Sequence, residues 1–266
     1  MTTPTAPASS ELLYTVSNRV GHAIFNRPQA RNALTFAMYD QLADICASIP
    51  DDGSVRVLVI SGAGGKAFAA GTDISLFRNF KGAADGLAYE AAMEKRLSTI
   101  EACPIPVIAA ITGACTGGGA AIAACCDLRI GSADLKFGFP IARTLGNCLS
   151  AASLAKLVSL IGPAKVTEML LTARLIEASE ALTAGLLSEV QPSHEAVIDR
   201  ALALAGEIAA LAPLTLRVTK TLLRRIRLDG AKAQDHDQLA LAYGSNDFRE
   251  GLTSFLTKRQ PVWTGL

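Results

Sequence analysis

Hydrophobic and polar positions fall into two periods along this chain. Residues 12–16 and 20–25 read as strands with a turn at Ser17-Asn18-Arg19, and Asn26-Arg27-Pro28 ends that hairpin. Thr35 is placed to cap a helix running through Ile49, with apolar positions at Met38, Leu42, Ile45 and Cys46. Residues 55–61 form a near-continuous apolar run, the pattern of a strand covered on both faces, and Gly62 to Gly65 make a loop. A helix is predicted over 84–100, a buried strand over 106–112, a short helix over 117–125, and short strands over 128–130 and 135–137. This alternation predicts an α/β core of repeating turns.

From Ser150 onward helices dominate, separated at Gly162-Pro163, Gly185 and Pro192, with a short strand near 187–190. Residues 194–211 and 214–228 are amphipathic helices, and two more are predicted between 231 and 258. The Thr/Pro/Ala/Ser-rich residues 1–10 have neither a basic start nor an apolar centre, so they read as a disordered lead-in. No charge occurs from Pro104 to Cys126, yet prolines and glycines divide that stretch into strand-length pieces. A buried strand followed by a buried helix accounts for it better than a membrane span.

Composition narrows the function classes. With 25 basic and 24 acidic residues in 266, the chain lacks the excess of positive charge that nucleic-acid binding needs. The six cysteines match no zinc spacing and read as reduced thiols of a cytoplasmic protein. No metal-ligand cluster, Gly-x-Ser-x-Gly elbow or Gly-Lys-Ser/Thr phosphate loop is present, although His22, His194 and His236 keep a serine-type hydrolase open as an alternative.

The most informative segment is Thr116-Gly117-Gly118-Gly119-Ala120-Ala121, between the strand over 106–112 and the small-residue helix. Glycines leave backbone N–H groups uncovered, and a helix start adds unpaired donors and the positive end of a dipole. Such a place can hold negative charge developing on an oxygen.

Four segments together resemble the crotonase superfamily, the enoyl-CoA hydratase/isomerase group. They are the ten residues from Phe25 to Leu34, Ala67-Phe68-Ala69-Ala70-Gly71-Thr72-Asp73-Ile74, the stretch from Gly113 to Asp127, and the tail Phe255-Leu256-Thr257-Lys258-Arg259-Gln260-Pro261. The resemblance implies an α/β crotonase (ClpP-like) spiral of strand-strand-helix repeats over 11–195, and a helical C-terminal region over 196–266 used for trimer or hexamer assembly. It implies a coenzyme A thioester as substrate, with no cofactor besides the coenzyme A that the substrate carries. The backbone N–H groups of Thr72 and Gly118 would form an oxyanion hole. Ala70 and Ile74 would line the adenine pocket, Ala30, Arg31 and Ala33 would lie along the coenzyme A arm, and Lys258 and Arg259 would reach its phosphates. Gly71, Asp73, Thr116, Gly117, Pro140 and Ile141 complete the implied binding set.

The sequence departs from the family at its two usual glutamates, where Ala121 and Ile141 stand. Water addition needs a base for the water and an acid for the α-carbon, and neither residue moves a proton. Weak or absent hydration of crotonyl-CoA is therefore expected. Glu90 and Glu94 on the helix above the acyl pocket, and Asn147 and Cys148 in the loop after Ile141, are the candidates to act instead. A non-catalytic acyl-CoA binder, or a thioester hydrolase or decarboxylase using other residues, stays open beside the hydratase/isomerase reading.

Overall fold

The structure is a computed structural model and describes residues 10–266. The lead-in expected over 1–10 lies, apart from Ser10, outside the described residues. Strands β1 (Leu12–Ser17) and β2 (Val20–Phe25) pair antiparallel, with Ser17 opposite Val20. Asn18 and Arg19 between them both have positive φ, 50° and 64°. That is the two-residue turn whose twist matches a right-handed hairpin. Helix α1 (Phe36–Ala47) starts where expected, because the Thr35 hydroxyl accepts the Met38 N–H. It stops short of Ile49, with Ser48 donating from its N–H and hydroxyl to the Asp44 carbonyl.

Three strand-strand-helix turns follow. They are β3 (Val57–Gly62), β4 (Ala67–Ala69) and α2 (Ala83–Glu101); β5 (Val107–Ile111), β6 (Ala114–Thr116) and α3 (Gly118–Cys125); and β7 (Leu128–Ser132), β8 (Lys136–Gly138) and α4 (Ala151–Leu171). Next come β9 (Ile176–Glu177), α5 (Ala178–Thr183), β10 (Glu189–Gln191), α6 (His194–Ala209) and α7 (Pro213–Asp229), then α8 (His236–Gly244) and α9 (Asn246–Thr257). The first strands of each turn build a six-stranded sheet in the order β1-β2-β3-β5-β7-β10, parallel except at the hairpin. The second strands build a smaller sheet in the order β4-β6-β8-β9. Strands β4 and β6 were not expected from the residues, since three positions are too few to display a period.

The expected break at Gly162-Pro163 is a kink inside α4, where Gly162 takes φ 75° and Pro163 starts the second rod. The uncharged stretch 104–126 resolves into β5, β6 and α3, and no single helix among the described residues is long and apolar enough to cross a membrane.

The central strands β3 and β5 are buried along their whole length, which is why they read as near-continuous apolar runs, whereas the edge strands β1 and β10 are mostly exposed or half-buried. Leu58, Ile60, Ala109 and Ile111 face the interior beneath α1 to α4, while Val57, Val59, Ile108 and Ala110 face α6. Helix α6 meets that face with Val197, Ala201, Ala205 and Ala209, whose small side chains allow a close approach. Each fully buried Val, Leu or Ile contributes about 1.5–3 kcal/mol, so this two-sided burial makes the sheet a rigid base for the loops at its edge.

Candidate active site

The second strands each end at the wall of a cavity of about 220 Å³. The loop after β4 brings Ala70, Gly71, Thr72 and Ile74, and the turn between β6 and α3 brings Thr116, Gly117 and Gly118. Pro140 and Ile141 arrive from the turn after β8, Glu90 from α2, and Asn147 and Cys148 from the loop before α4. Ala121 lies on the same lining, one helical turn into α3.

The two glycine-bearing loops touch. A Cβ on Gly117 would lie 3.5 Å from the Gly71 Cα, and one on Gly118 would overlap the Tyr39 hydroxyl and come 2.8 Å from Thr72 Oγ1. Gly117 also has φ 52°, a conformation open mainly to glycine. Backbone hydrogen bonds fix the first loop without using the Thr72 N–H. Leu34 N donates to Gly71 O at 2.8 Å and Asp73 N to Leu34 O at 2.9 Å, which passes over Thr72. The Gly117 N–H is spent on Gly138 O at 3.0 Å, and Gly118 opens the helix, where no carbonyl precedes it at helical spacing. Among the described residues, neither the Thr72 nor the Gly118 N–H has an acceptor. Two free donors from separate loops thus edge one cavity, as stabilisation of an oxyanion requires.

The remaining candidate residues separate by place. Asp73 does not line the cavity: it accepts from the Ser75 N–H and hydroxyl and from Arg27, and these bonds, Ser75's first, hold its carboxyl below the ordinary range. Ala30, Arg31 and Ala33 are not on the cavity lining, but the Arg31 carbonyl takes the N–H of the lining residue Ala70 at 3.0 Å. Glu94 points to Ser150, whose hydroxyl donates to it at 3.2 Å. Glu90 is half-buried on the cavity wall, and burial, followed by the charge of Glu94, raises its pKa. Lys258 ends α9 in the left-handed region, outside the cavity lining, and Arg259 is paired with Glu250 at 2.6 Å. For the hydrolase alternative, His22 bonds Ser61 at 2.8 Å and His194 bonds Thr112 at 3.0 Å, but none of the four lines the cavity.

Two kinds of site residue went unread in the sequence. Asn32 is fully buried and ties three segments: its amide donates to the carbonyls of Ala63 and Ala67, and its oxygen accepts the Arg27 N–H. Tyr39 and Tyr89 bring hydroxyls to either side of Thr72, at 2.9 and 3.4 Å from its Oγ1. Tyr39 follows Met38 on the inner face of α1, so a polar-tipped aromatic on an otherwise apolar stripe was the available signal.

Comparison with known proteins agrees with this architecture. Residues 15–266 match the family model described as enoyl-CoA hydratase/isomerase. The chain is 35% identical over 238 residues to a crotonyl-CoA hydratase of Syntrophomonas wolfei, covering 88% of this chain and 90% of that protein. It is 33% identical to the 2,3-dehydroadipyl-CoA hydratase of Escherichia coli, over 96% of this chain and 99% of that one. A crystal structure of an enoyl-CoA hydratase/carnithine racemase from Magnetospirillum magneticum superposes with TM-score 0.87 at 36% identity, covering 97% of both chains. By family model, sequence and fold alike, the chain belongs to the enoyl-CoA hydratase/isomerase family of the crotonase superfamily.

Proposed function

We infer that the protein acts on an acyl-CoA thioester through an enolate whose oxygen is held by the Thr72 and Gly118 N–H groups. The carrying observation is that, among the described residues, both amides lack an acceptor and edge the same cavity. An enolate concentrates charge on that oxygen, so fixed donors favour it over the neutral carbonyl and lower the barrier to its formation. Among the described residues Glu90 is the carboxylate that lines the cavity, and burial there favours its protonated form, so it is the group placed to exchange a proton with a bound acyl chain. Lys, Arg and His are missing from the described lining, which favours an acyl group without a carboxylate of its own.

Ala121 and Ile141 occupy the lining where a water would be activated, so enolisation is expected without efficient hydration. The test is to incubate purified protein with butyryl-CoA in deuterium oxide and follow α-carbon exchange by mass spectrometry, with crotonyl-CoA hydration measured in parallel. Exchange with little hydration is expected. Turnover of crotonyl-CoA at an ordinary hydratase rate overturns the restriction, and binding without exchange favours a non-catalytic binder. Placing glutamates at both positions, Ala121→Glu with Ile141→Glu, is expected to raise hydration about 100-fold or more, the contribution typical of positioned acid and base groups.

Trimer or hexamer assembly through the C-terminal helices belongs to the same reading. Tyr243, Phe255 and Leu256 there are 64%, 84% and 70% exposed, apolar surface that a subunit contact would cover. A cytoplasmic location fits the six unpaired cysteines, five of them buried.

A further inference from the structure

A chain of three hydroxyls runs along the cavity wall, on Tyr39, Thr72 and Tyr89. Tyr39 is fully buried, and Thr72 Oγ1, at 2.9 Å, is the hydrogen-bond partner of its hydroxyl among the described residues. A buried O–H left unbonded is costly, so Tyr39 donates and Thr72 accepts. The Thr72 proton then turns to its other neighbour, Tyr89 Oη at 3.4 Å. That leaves the Tyr89 proton uncommitted, on a side chain that forms part of the cavity wall. Burial raises the pKa of both tyrosines, which keeps each hydroxyl a neutral donor. Donation along such a chain polarises its last member. The Tyr89 ring is held in place by Phe77 and Phe80, with centroids at 4.9 and 6.0 Å.

We propose that Tyr89 is a catalytic residue, a third donor to the thioester oxygen alongside the two amides, aimed by the one-way chain Tyr39 to Thr72 to Tyr89. This rests on the acyl-CoA reading above. It adds a side-chain donor to a site otherwise made of backbone, and it gives the threonine at position 72 a task separate from that of its own N–H.

The test is isotope-edited infrared spectroscopy of butyryl-CoA carrying a carbon-13 carbonyl, bound to the full-length protein. In the unaltered protein the carbonyl band is expected to move to lower frequency on binding. In Tyr89→Phe part of that displacement is lost and the dissociation constant rises about two- to tenfold, the worth of one hydrogen bond. Thr72→Val keeps the backbone N–H and removes the hydroxyl, so it loses part of the same displacement, and Thr72→Ser restores it. A spacer role for Thr72 would not show that rescue. A band in Tyr89→Phe as displaced as in the unaltered protein overturns the proposal and leaves the two-amide reading intact. A carbonyl undisplaced by binding to the unaltered protein overturns both. Should Tyr89→Phe fail to fold, the valine and serine pair at position 72 decides: equal bands in the two overturn the proposal.

Discussion

Gly118→Ala is expected to abolish α-carbon exchange of butyryl-CoA, with a loss of about 100- to 1000-fold, the range for removing one oxyanion-hole donor. The cause is space. A methyl group at that position would overlap the Tyr39 hydroxyl and press Thr72 Oγ1 at 2.8 Å, so the start of α3 must move and carry its N–H away. Tyr39 is fully buried on the inner face of α1 and its hydroxyl is bonded to Thr72, so any shift it makes disturbs that same loop. The control is Gly86→Ala in α2, where nothing stands within 4 Å of the added carbon. That variant is expected to retain exchange and to gain about 0.5–1 kcal/mol of stability from better helix propensity. Exchange rates, with circular dichroism to confirm the fold, separate the two. A Gly118→Ala protein that exchanges normally would remove Gly118 from the oxyanion assignment.

Glu101→Gln is expected to cost about 3–5 kcal/mol of stability, the usual penalty for breaking one partner out of a buried ion pair. Glu101 ends α2 with its side chain 15% exposed and holds Lys156 of α4 at 3.2 Å and Arg227 of α7 at 2.6 Å. Lys156 also lies 3.0 Å from the Cys125 sulfur of α3. Burial alone would lower the Lys156 pKa, but the adjoining Cys125 and Glu101 more than offset that and raise it. One carboxylate thus neutralises three cations from two helices, Arg224 of α7 lying 3.6 Å away as well, and the glutamine removes that shared countercharge. Urea unfolding at fixed protein concentration reads the loss, and a midpoint within error of the unaltered protein would show that solvent already screens the cluster.

The legible parts of the fold were those whose signal is local and repeated. Thr35, the Asn18-Arg19 turn and the double-faced apolar strands each announce themselves within a few residues, and the structure has them where expected. Strands β4 and β6 were not legible from periodicity, because three residues carry none, and each is fixed by pairing with segments far along the chain. The same reason hides the hydroxyl chain: Tyr39 and Tyr89 meet Thr72 only through the packing of α1 and α2 around the loop. The glycine triplet and the Gly71-Thr72 pair were legible as motifs, and the structure places Gly71, Thr72, Gly117 and Gly118 on one cavity. Lys258 and Arg259 matched the tail pattern, yet neither is among the residues that line that cavity, and Arg259 is paired with Glu250 instead.

Five of the six thiols are buried and Cys148 is exposed on the cavity rim. A maleimide dye added to the folded chain therefore finds one exposed sulfur without any engineering, and attaches beside the cavity. Fluorescence from that single label would report occupancy in real time, including for molecules the protein holds but never transforms.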